Sequence, residues 1–373
     1  MIPVQRPYLG PEELKAVQQV FDTRWLGMGS TTKEFEERLR EFLGAKHVIA
    51  VNTGTSALHL ALAAVGLVPG DEVIVPSLTF AASLQAIMAV GARPVFCDIA
   101  AETLNIDLND AFGRVTPRTR AIMPVHYGGL ACEMDELMAL AKDHGIWVVE
   151  DAAHAFGSTY KGRQIGTVGD VTCFSFDPIK NITCGEGGAV VTNNDEIAAR
   201  ITPKRILGID NDTWSRYRNE RNWFYEVVTI GYRYHLSNVN AAIGLEQLKR
   251  FDVFKKRKTQ IVELYDRAFA GLPGLALIKH DLDEMFPFFY IVRVLNGRRD
   301  AMMQFLKEAG IGTGVHYIPN HIQPLFADSR ASLPVTEQVF EEILTLPLYY
   351  EMTDADVDCV IGKIQTFVQK ENR

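Results

Sequence analysis

The chain has few cysteines, no long apolar run and no excess of positive charge. Its 373 residues contain five cysteines and no CxxC pair, so neither a disulfide framework nor a zinc ribbon is expected. No run of about 18 apolar residues is present to span a membrane, and the N-terminal residues lack a secretory signal. A net charge of −8 argues against a nucleic-acid scaffold. These absences predict a cytoplasmic protein with no metal, nucleic-acid or membrane partner.

Two common nucleotide-binding motifs are also missing. The chain has neither the GxxxxGK[ST] P-loop nor the GxGxxG fingerprint, so ATP and NAD are poorly supported as cofactors. A different turn, Asn52–Ala57, joins an apolar run to a helical stretch through small and hydroxyl residues. Backbone N–H groups at such a helix N-terminus can hold a phosphate, but an N-cap box explains the same residues. The pattern by itself leaves both interpretations open.

The fold class follows from an alternation of short β-branched runs and helical stretches between about residues 45 and 200. Strands separated by helices predict a mostly parallel sheet that is covered on both faces. The predicted strands are His47–Val51, Glu72–Val75, Pro94–Cys97, Ala121–Val125, Ile146–Glu150, Val171–Phe176 and Gly188–Thr192. The predicted helices between them are Ser56–Val65, Phe80–Val90 and Met134–His144.

The alternation stops near residue 205, and a chain of this length is expected to form two domains. Residues 208–235 are rich in arginine and aromatic residues and predict an irregular loop. A long helix is predicted over Asn238–Leu272, before Pro273–Gly274. A strand-like stretch follows at Phe288–Val294 and a helix-like stretch at Arg299–Ala309. After Gly312–Tyr317, a final helix is predicted near Ala355–Gln369. We therefore predict a large α/β domain at 1–245 and a smaller α+β domain at 246–373.

The chemistry is concentrated in a lysine and an aspartate. Lys180 follows the apolar run Cys173–Phe176 and precedes the glycine-rich turn Gly185–Gly188. Most lysines are solvated, but an apolar setting disfavours the ammonium form, as condensation with an aldehyde requires. Asp151 ends another apolar run, at the edge where α/β sheets bind their ligands. A lysine amine and a strand-end carboxylate are the two groups that pyridoxal phosphate requires.

The ordered motifs together resemble the DegT/DnrJ/EryC1/StrS sugar aminotransferases. The resemblance covers nearly the whole chain. It implies an aspartate aminotransferase-like, fold-type-I pyridoxal-phosphate enzyme, with a large mostly parallel-sheet domain and a smaller C-terminal domain. It also implies a homodimer whose two active sites share residues. The motifs that carry it are Gly54–Leu58, Pro69–Pro76, Pro124–Tyr127, Asp151–His154, Ser175, Lys180, Gly185–Gly188, Gly231–Tyr232 with Leu236, His316–Tyr317 and Gln323–Pro324.

The resemblance assigns roles around the cofactor. Lys180 matches the catalytic lysine that binds the cofactor aldehyde and shuttles a proton, and Asp151 matches the partner of the ring nitrogen. The predicted phosphate ligands are Gly54, Thr55, Ser56 and Ser175. Phe80 matches an aromatic that stacks on the cofactor ring, although its position also fits ordinary helix-face core. Glu186 follows the lysine where the family often has an acid, and its role stays open.

Two positions depart from the commonest family pattern. His154 stands where glutamine often lies near the ring oxygen of the cofactor, and a cap on the local turn is the alternative for this histidine. Arg233 stands where asparagine often reaches the phosphate from the neighbouring subunit. An arginine there favours a bidentate phosphate contact, and pairing with an acid is the alternative.

The substrate side of the site is assigned on fewer residues. His316 and Tyr317 match a segment that lines the sugar pocket. Arg221 lies in the basic, aromatic loop with Arg216 and Arg218. This loop fits either a nucleotide diphosphate site or a solvated basic surface.

The function implied is transfer of an amino group from L-glutamate to a nucleotide-linked keto-deoxysugar, at C4 in preference to C3. Such sugars belong to bacterial surface polysaccharides, including lipopolysaccharide and O-antigen, or to glycosides. Two alternative functions are compatible with this fold. A sugar dehydratase of the same fold replaces the lysine by histidine, which Lys180 contradicts. A non-catalytic regulatory or scaffold relative is disfavoured by the complete set of cofactor positions.

Overall fold

The computed structural model describes residues 1–210, 225–329 and 331–371. Its central element is a seven-stranded sheet with the order β1-β9-β8-β5-β4-β2-β3. The strands are β1 (His47–Val51), β2 (Glu72–Pro76), β3 (Arg93–Cys97), β4 (Thr119–Ile122), β5 (Trp147–Asp151), β8 (Val171–Ser175) and β9 (Gly188–Thr192). A short hairpin of β6 (Thr159–Tyr160) and β7 (Arg163–Gln164) lies between β5 and β8.

The sheet is mostly parallel, as predicted from the alternation. Its neighbours pair in parallel from β3 through β2, β4 and β5 to β8, whereas β9 runs antiparallel to both β8 and β1. All seven predicted strands are present. The prediction for β4 was wrong at its end, because this strand stops at Ile122 and not at Val125. Pro124 has no N–H with which to continue a ladder.

Helices cover both faces of this sheet because successive strand residues point to opposite sides. In β2, Val73 and Val75 join one buried cluster and Ile74 joins the other. One face is covered by α3 (Gly54–Ala64), α4 (Ala81–Ala89) and α7 (Asp195–Lys204). The other is covered by α2 (Ser30–Leu43) and α6 (Met134–His144). The remaining helices before residue 210 are α1 (Pro11–Thr23) and α5 (Leu108–Gly113).

The C-terminal part has its own core. A three-stranded antiparallel sheet contains β10 (Leu275–Leu277), β11 (Tyr290–Val294) and β12 (Ile343–Leu346). Its helices are α9 (Phe251–Phe269), α10 (Arg299–Glu308), α11 (Pro334–Glu342) and α12 (Asp354–Glu371), of which α9, α10 and α12 share a buried cluster with the strands. Ile2 pairs with Ile311, so the first residues of the chain also lie here. Within the described ranges, no helix is both long and apolar enough to cross a membrane.

The prediction of a single helix over Asn238–Leu272 was wrong. The structure has two helices, α8 (Asn238–Lys249) and α9, which meet at Arg250. Arg250 leaves the helical conformation with φ −103° and ψ 7°, and its guanidinium pairs with Glu12 and Glu13 of α1. Helix α8 packs on α1 and α2. The predicted domain boundary at 245/246 falls inside α8 and stays a prediction.

An aromatic cluster lies behind the strands that end at the candidate site. Phe156, only 3% exposed, follows β5 at the centre of this cluster. Its ring centroid is 5.3 Å from Phe42, 5.3 Å from Phe174, 5.4 Å from Phe176 and 6.2 Å from Phe251. The cluster joins α2, β8 and α9 to the segment that follows β5.

We predict that Phe156→Ala lowers the free energy of unfolding by about 3–5 kcal/mol, because it leaves a cavity among four rings. Urea titration followed by circular dichroism measures this change. Phe21→Ala is the control, because the Phe21 side chain is 57% exposed, and it should change stability by about 0.5 kcal/mol. Equal effects of the two substitutions would contradict the central packing of Phe156.

Candidate active site

One cavity of about 340 Å³ lies where the predicted residues converge. It opens at the carboxyl ends of β5 and β8 and beside the N-terminus of α3, the expected place for a ligand in an α/β sheet. Its lining includes Glu186 and nine predicted site residues. These are Gly54, Thr55, Phe80, Asp151, His154, Ser175, Lys180, His316 and Tyr317. Within the described part of the chain, the lining contains no arginine.

The turn before α3 forms a cradle for an anion. Thr53 caps the helix by accepting a hydrogen bond from the Ser56 N–H (3.0 Å). Gly54 begins α3, and a Cβ placed on it would lie 2.8 Å from Cβ of Ser175, so glycine lets the helix N-terminus approach β8. The positive end of the helix dipole and the free N–H groups there favour a phosphate.

Ser56 does not line this cavity. Its hydroxyl donates to Oδ1 of Asn52 (2.7 Å) and lies 2.9 Å from Oγ1 of Thr53. These contacts fit the cap interpretation of the turn. A phosphate contact by Ser56 stays a prediction that the arrangement of its side chain does not favour.

Asp151 is held as a buried hydrogen-bond acceptor at the end of β5. It is 5% exposed, and Ser83 donates to its Oδ2 at 2.6 Å. The Ala153 N–H donates to its Oδ1 at 3.1 Å. These two donors fix the orientation of the carboxylate at the end of the strand. Sequence reasoning missed Ser83, since a serine inside an apolar helical stretch carries no signal of this contact.

Lys180 projects into the same cavity. Its Nζ lies 4.6 Å from the centre of the Phe288 ring. Burial lowers the pKa of this amine, because the ammonium loses water, while the nearby Asp177 and Asp151 carboxylates act in the opposite direction. The net effect favours a neutral amine, the form that attacks an aldehyde.

The turn around Lys180 is fixed by a second lysine that sequence reasoning missed. Asn181 donates from Nδ2 to the Phe286 carbonyl (3.2 Å), and its Oδ1 accepts from Nζ of Lys258 (2.8 Å). Lys258 is 6% exposed, and burial lowers its pKa to about 7. It comes from α9, so no local sequence pattern links it to residue 180.

An aromatic wall faces Lys180. The His154 ring stacks on Phe288 with centroids 4.5 Å apart and planes at 16°, and its Nε2 lies 3.0 Å from Oη of Tyr317. His154 Nδ1 is buried with no partner among the described residues. Phe80 is 58% exposed, at 5.6 Å from the Tyr317 ring, so the helix-face core interpretation of Phe80 was wrong.

His316 and Glu186 complete the polar lining. His316 stacks on Phe289 at 4.4 Å, and its Nδ1 lies 2.8 Å from Oγ1 of Thr345. Burial, with the nearby Lys180 amine, lowers the pKa of His316 to about 4, so its imidazole is neutral. Burial also raises the pKa of Glu186, as does the Asp177 carboxylate.

The structure describes one of the two predicted arginines, Arg233. Arg233 is exposed and pairs through its backbone with Ile206, and it does not line the cavity of its own chain. Arg221 lies outside the described residues, as do Arg216 and Arg218. The roles of all four stay predictions.

The chain is similar to known proteins over its full length. The model of the DegT/DnrJ/EryC1/StrS aminotransferase family matches residues 7–365. The spore coat polysaccharide biosynthesis protein SpsC of Bacillus subtilis is 42% identical, over 99% of this chain and 97% of SpsC.

Two solved structures share the fold. The aminotransferase TlmJ from Streptoalloteichus hindustanus aligns with a TM-score of 0.94 and 36% identity over 100% of both chains. Spr1654 from Streptococcus pneumoniae, assigned as a sugar aminotransferase and solved in its PLP form, aligns with a TM-score of 0.91 and 31% identity over 99% of each chain.

The cavity of this chain fits pyridoxal phosphate. A glycine-permitted helix N-terminus suits the phosphate, a buried carboxylate suits the ring nitrogen, and a desolvated amine suits the aldehyde. The expected aspartate aminotransferase-like, fold-type-I architecture is confirmed. The chain therefore belongs to the DegT/DnrJ/EryC1/StrS aminotransferase family and is a pyridoxal-phosphate-dependent sugar aminotransferase.

Proposed function

We propose that the enzyme transfers an amino group from L-glutamate to C4 of a nucleotide-linked keto-deoxysugar. The observation that carries the proposal is the desolvated Lys180 amine in a cavity that Asp151 also lines. The likeness to SpsC supports a product used in a bacterial surface polysaccharide. The proposal also includes a product used in a glycoside. In this proposal the enzyme works in the cytoplasm, where the five cysteines stay reduced.

When bound, pyridoxal phosphate supplies an electron sink that makes a C–H bond next to the substrate nitrogen acidic. Lys180 then acts as the general base and general acid: its neutral Nζ accepts a proton from carbon and afterwards returns one. Asp151 would hold the ring nitrogen of the cofactor, and Ser83 and the Ala153 N–H fix the orientation of its carboxylate for that contact. Gly54, Thr55 and Ser175 bind the phosphate in this proposal.

We further propose that the enzyme is a homodimer in which Arg233 serves the partner's site. No arginine lines the described cavity, while Arg233 is exposed outside it. Close to Arg233 in the chain, three apolar side chains are 65%, 59% and 81% exposed, namely Val227, Val228 and Ile230. An apolar surface of this kind lies beside a guanidinium for which no ion pair is seen among the described residues, and this supports a second copy of the chain as the occupant.

Lys180→Ala should lower kcat by about 10³-fold or more, since the amine acts as both base and acid. The assay measures 2-oxoglutarate formed from L-glutamate with a panel of dTDP-, UDP- and GDP-linked 3-keto and 4-keto sugars. Lys161→Ala is the control, because this lysine is exposed, and it should retain wild-type turnover. Normal amination by the Lys180 variant would overturn the proposal, and a preference for 3-keto sugars would overturn its C4 part.

Asp177→Asn should lower the pH midpoint at which Lys180 condenses with pyridoxal phosphate. The Asp177 carboxylate raises the pKa of the amine, so removing its charge lowers that pKa and enlarges the neutral fraction at a given pH. The test measures the rate at which the apoprotein condenses with pyridoxal phosphate, by visible absorbance against pH. Asp143→Asn, at an exposed position on α6, is the control. A midpoint that stays in place or rises in Asp177→Asn would contradict the assignment.

Mixing two inactive variants tests the shared site. In a dimer of one Lys180→Ala and one Arg233→Ala subunit, the proposal leaves one site with both residues intact. Random reassociation should therefore restore about a quarter of wild-type activity. If Arg233 acted in its own chain's site, neither site of the mixed dimer would be complete, and no activity would return.

A further inference from the structure

The contact between His154 and Tyr317 joins two segments that are 163 residues apart in the chain. Both residues line the cavity. Nε2 of His154 and Oη of Tyr317 are 3.0 Å apart, and stacking on Phe288 sets the plane of the imidazole. The family resemblance predicts that Tyr317 lines the sugar pocket, yet its hydroxyl forms a hydrogen bond with the neighbouring side chain of His154.

The protonation of this pair follows from its surroundings. Burial raises the pKa of Tyr317 well above its ordinary value, and the Asp151 and Asp177 carboxylates act in the same direction, so the phenol keeps its proton. Burial lowers the pKa of His154 well below its ordinary value, with the Lys180 amine acting in the same direction. The imidazole is therefore neutral and carries one N–H.

Each of the two possible hydrogen-bond directions leaves one donor without an acceptor among the described residues. Donation from the phenol to Nε2 is favoured, because a phenol O–H is a stronger donor than an imidazole N–H and an imidazole nitrogen is a stronger acceptor than a phenol oxygen. Among the described residues, Oη of Tyr317 has no second hydrogen-bond acceptor. If the imidazole donated from Nε2, the phenol hydrogen would have no acceptor. If the phenol donates to Nε2, the imidazole proton lies on Nδ1, and that atom is buried with no partner in the described part of the chain. A buried unsatisfied donor is unfavourable, and a ligand oxygen in the cavity relieves it.

We propose that Tyr317 is a positioning residue that donates to Nε2 of His154 and so presents Nδ1–H as a donor to the ring oxygen of the cofactor. The inference rests on the proposed function in one respect, namely that pyridoxal phosphate occupies this cavity. A neutral donor satisfies that oxygen without placing a positive charge beside Lys180. The Tyr317 hydroxyl thereby acts through His154 on the cofactor.

Nitrogen-15 NMR of the apoprotein, labelled at histidine, reads the tautomer without any cofactor. We expect wild-type His154 to carry its proton on Nδ1, and Tyr317→Phe to move a measurable fraction of it to Nε2. Tyr127→Phe is a matched control: its ring lies 6.1 Å from the His154 ring, but its buried hydroxyl has no partner among the described residues. A wild-type proton on Nε2 would overturn the inference, as would equal spectra of wild type and Tyr317→Phe.

A double-mutant cycle on cofactor affinity provides the second test. Tyr317→Phe should raise the Kd of pyridoxal phosphate about 3- to 10-fold, the range of one hydrogen bond. In a His154→Phe background, which keeps a ring but has no ring nitrogen, the same change should raise it less than about 2-fold. A purely structural or sugar-binding Tyr317 would show equal factors in the two backgrounds, and that result would overturn the inference.

Failure of the proposed function and failure of the inference about Tyr317 give different results. If wild-type protein does not bind pyridoxal phosphate at Lys180, the proposed function fails, while the NMR result on the apoprotein still decides the tautomer. If wild-type protein binds the cofactor and the cycle shows no coupling, the inference about Tyr317 alone fails.

Discussion

Removal of a lysine amine from water is the physical constraint on which the site depends. An ammonium loses hydration energy in an apolar setting, so the neutral amine is favoured. Lys180 meets this condition beside the buried ring of Phe288. The carboxylates of Asp177 and Asp151 oppose the effect but do not cancel it. The result is a nucleophile and base that is available at a pH where a solvated lysine is charged.

The rest of the cavity keeps positive charge low around this amine. His154 and His316 are both neutral, and in the described part of the chain no arginine reaches the lining. Lys258, whose Nζ lies 5.7 Å from the centre of the same Phe288 ring, has its pKa lowered to about 7 by burial, and its Nζ bonds to an amide oxygen rather than a carboxylate. We propose that the phosphate binds at the N-terminus of α3, where the backbone dipoles attract an anion without adding a formal charge.

Much of the fold and part of the site were predictable from the sequence, because they depend on residues that are close together in the chain. Strand alternation predicted the sheet, and the apolar run before Lys180 predicted a desolvated lysine. Contacts between distant segments were not predictable: Ser83 with Asp151, Lys258 with Asn181, and Tyr317 with His154 are separated by 68, 77 and 163 residues. The break at Arg250 was missed for the same reason, because its acidic partners lie on α1.

The central claim is that the buried Lys180 amine, and no other, condenses with the cofactor. Borohydride reduction of protein loaded with pyridoxal phosphate, followed by peptide mass spectrometry, tests it directly. The account predicts a stable pyridoxyl adduct on Lys180 and none on the neighbouring Lys258. An adduct on Lys258 or elsewhere, or no adduct on a protein that holds the cofactor, would contradict it.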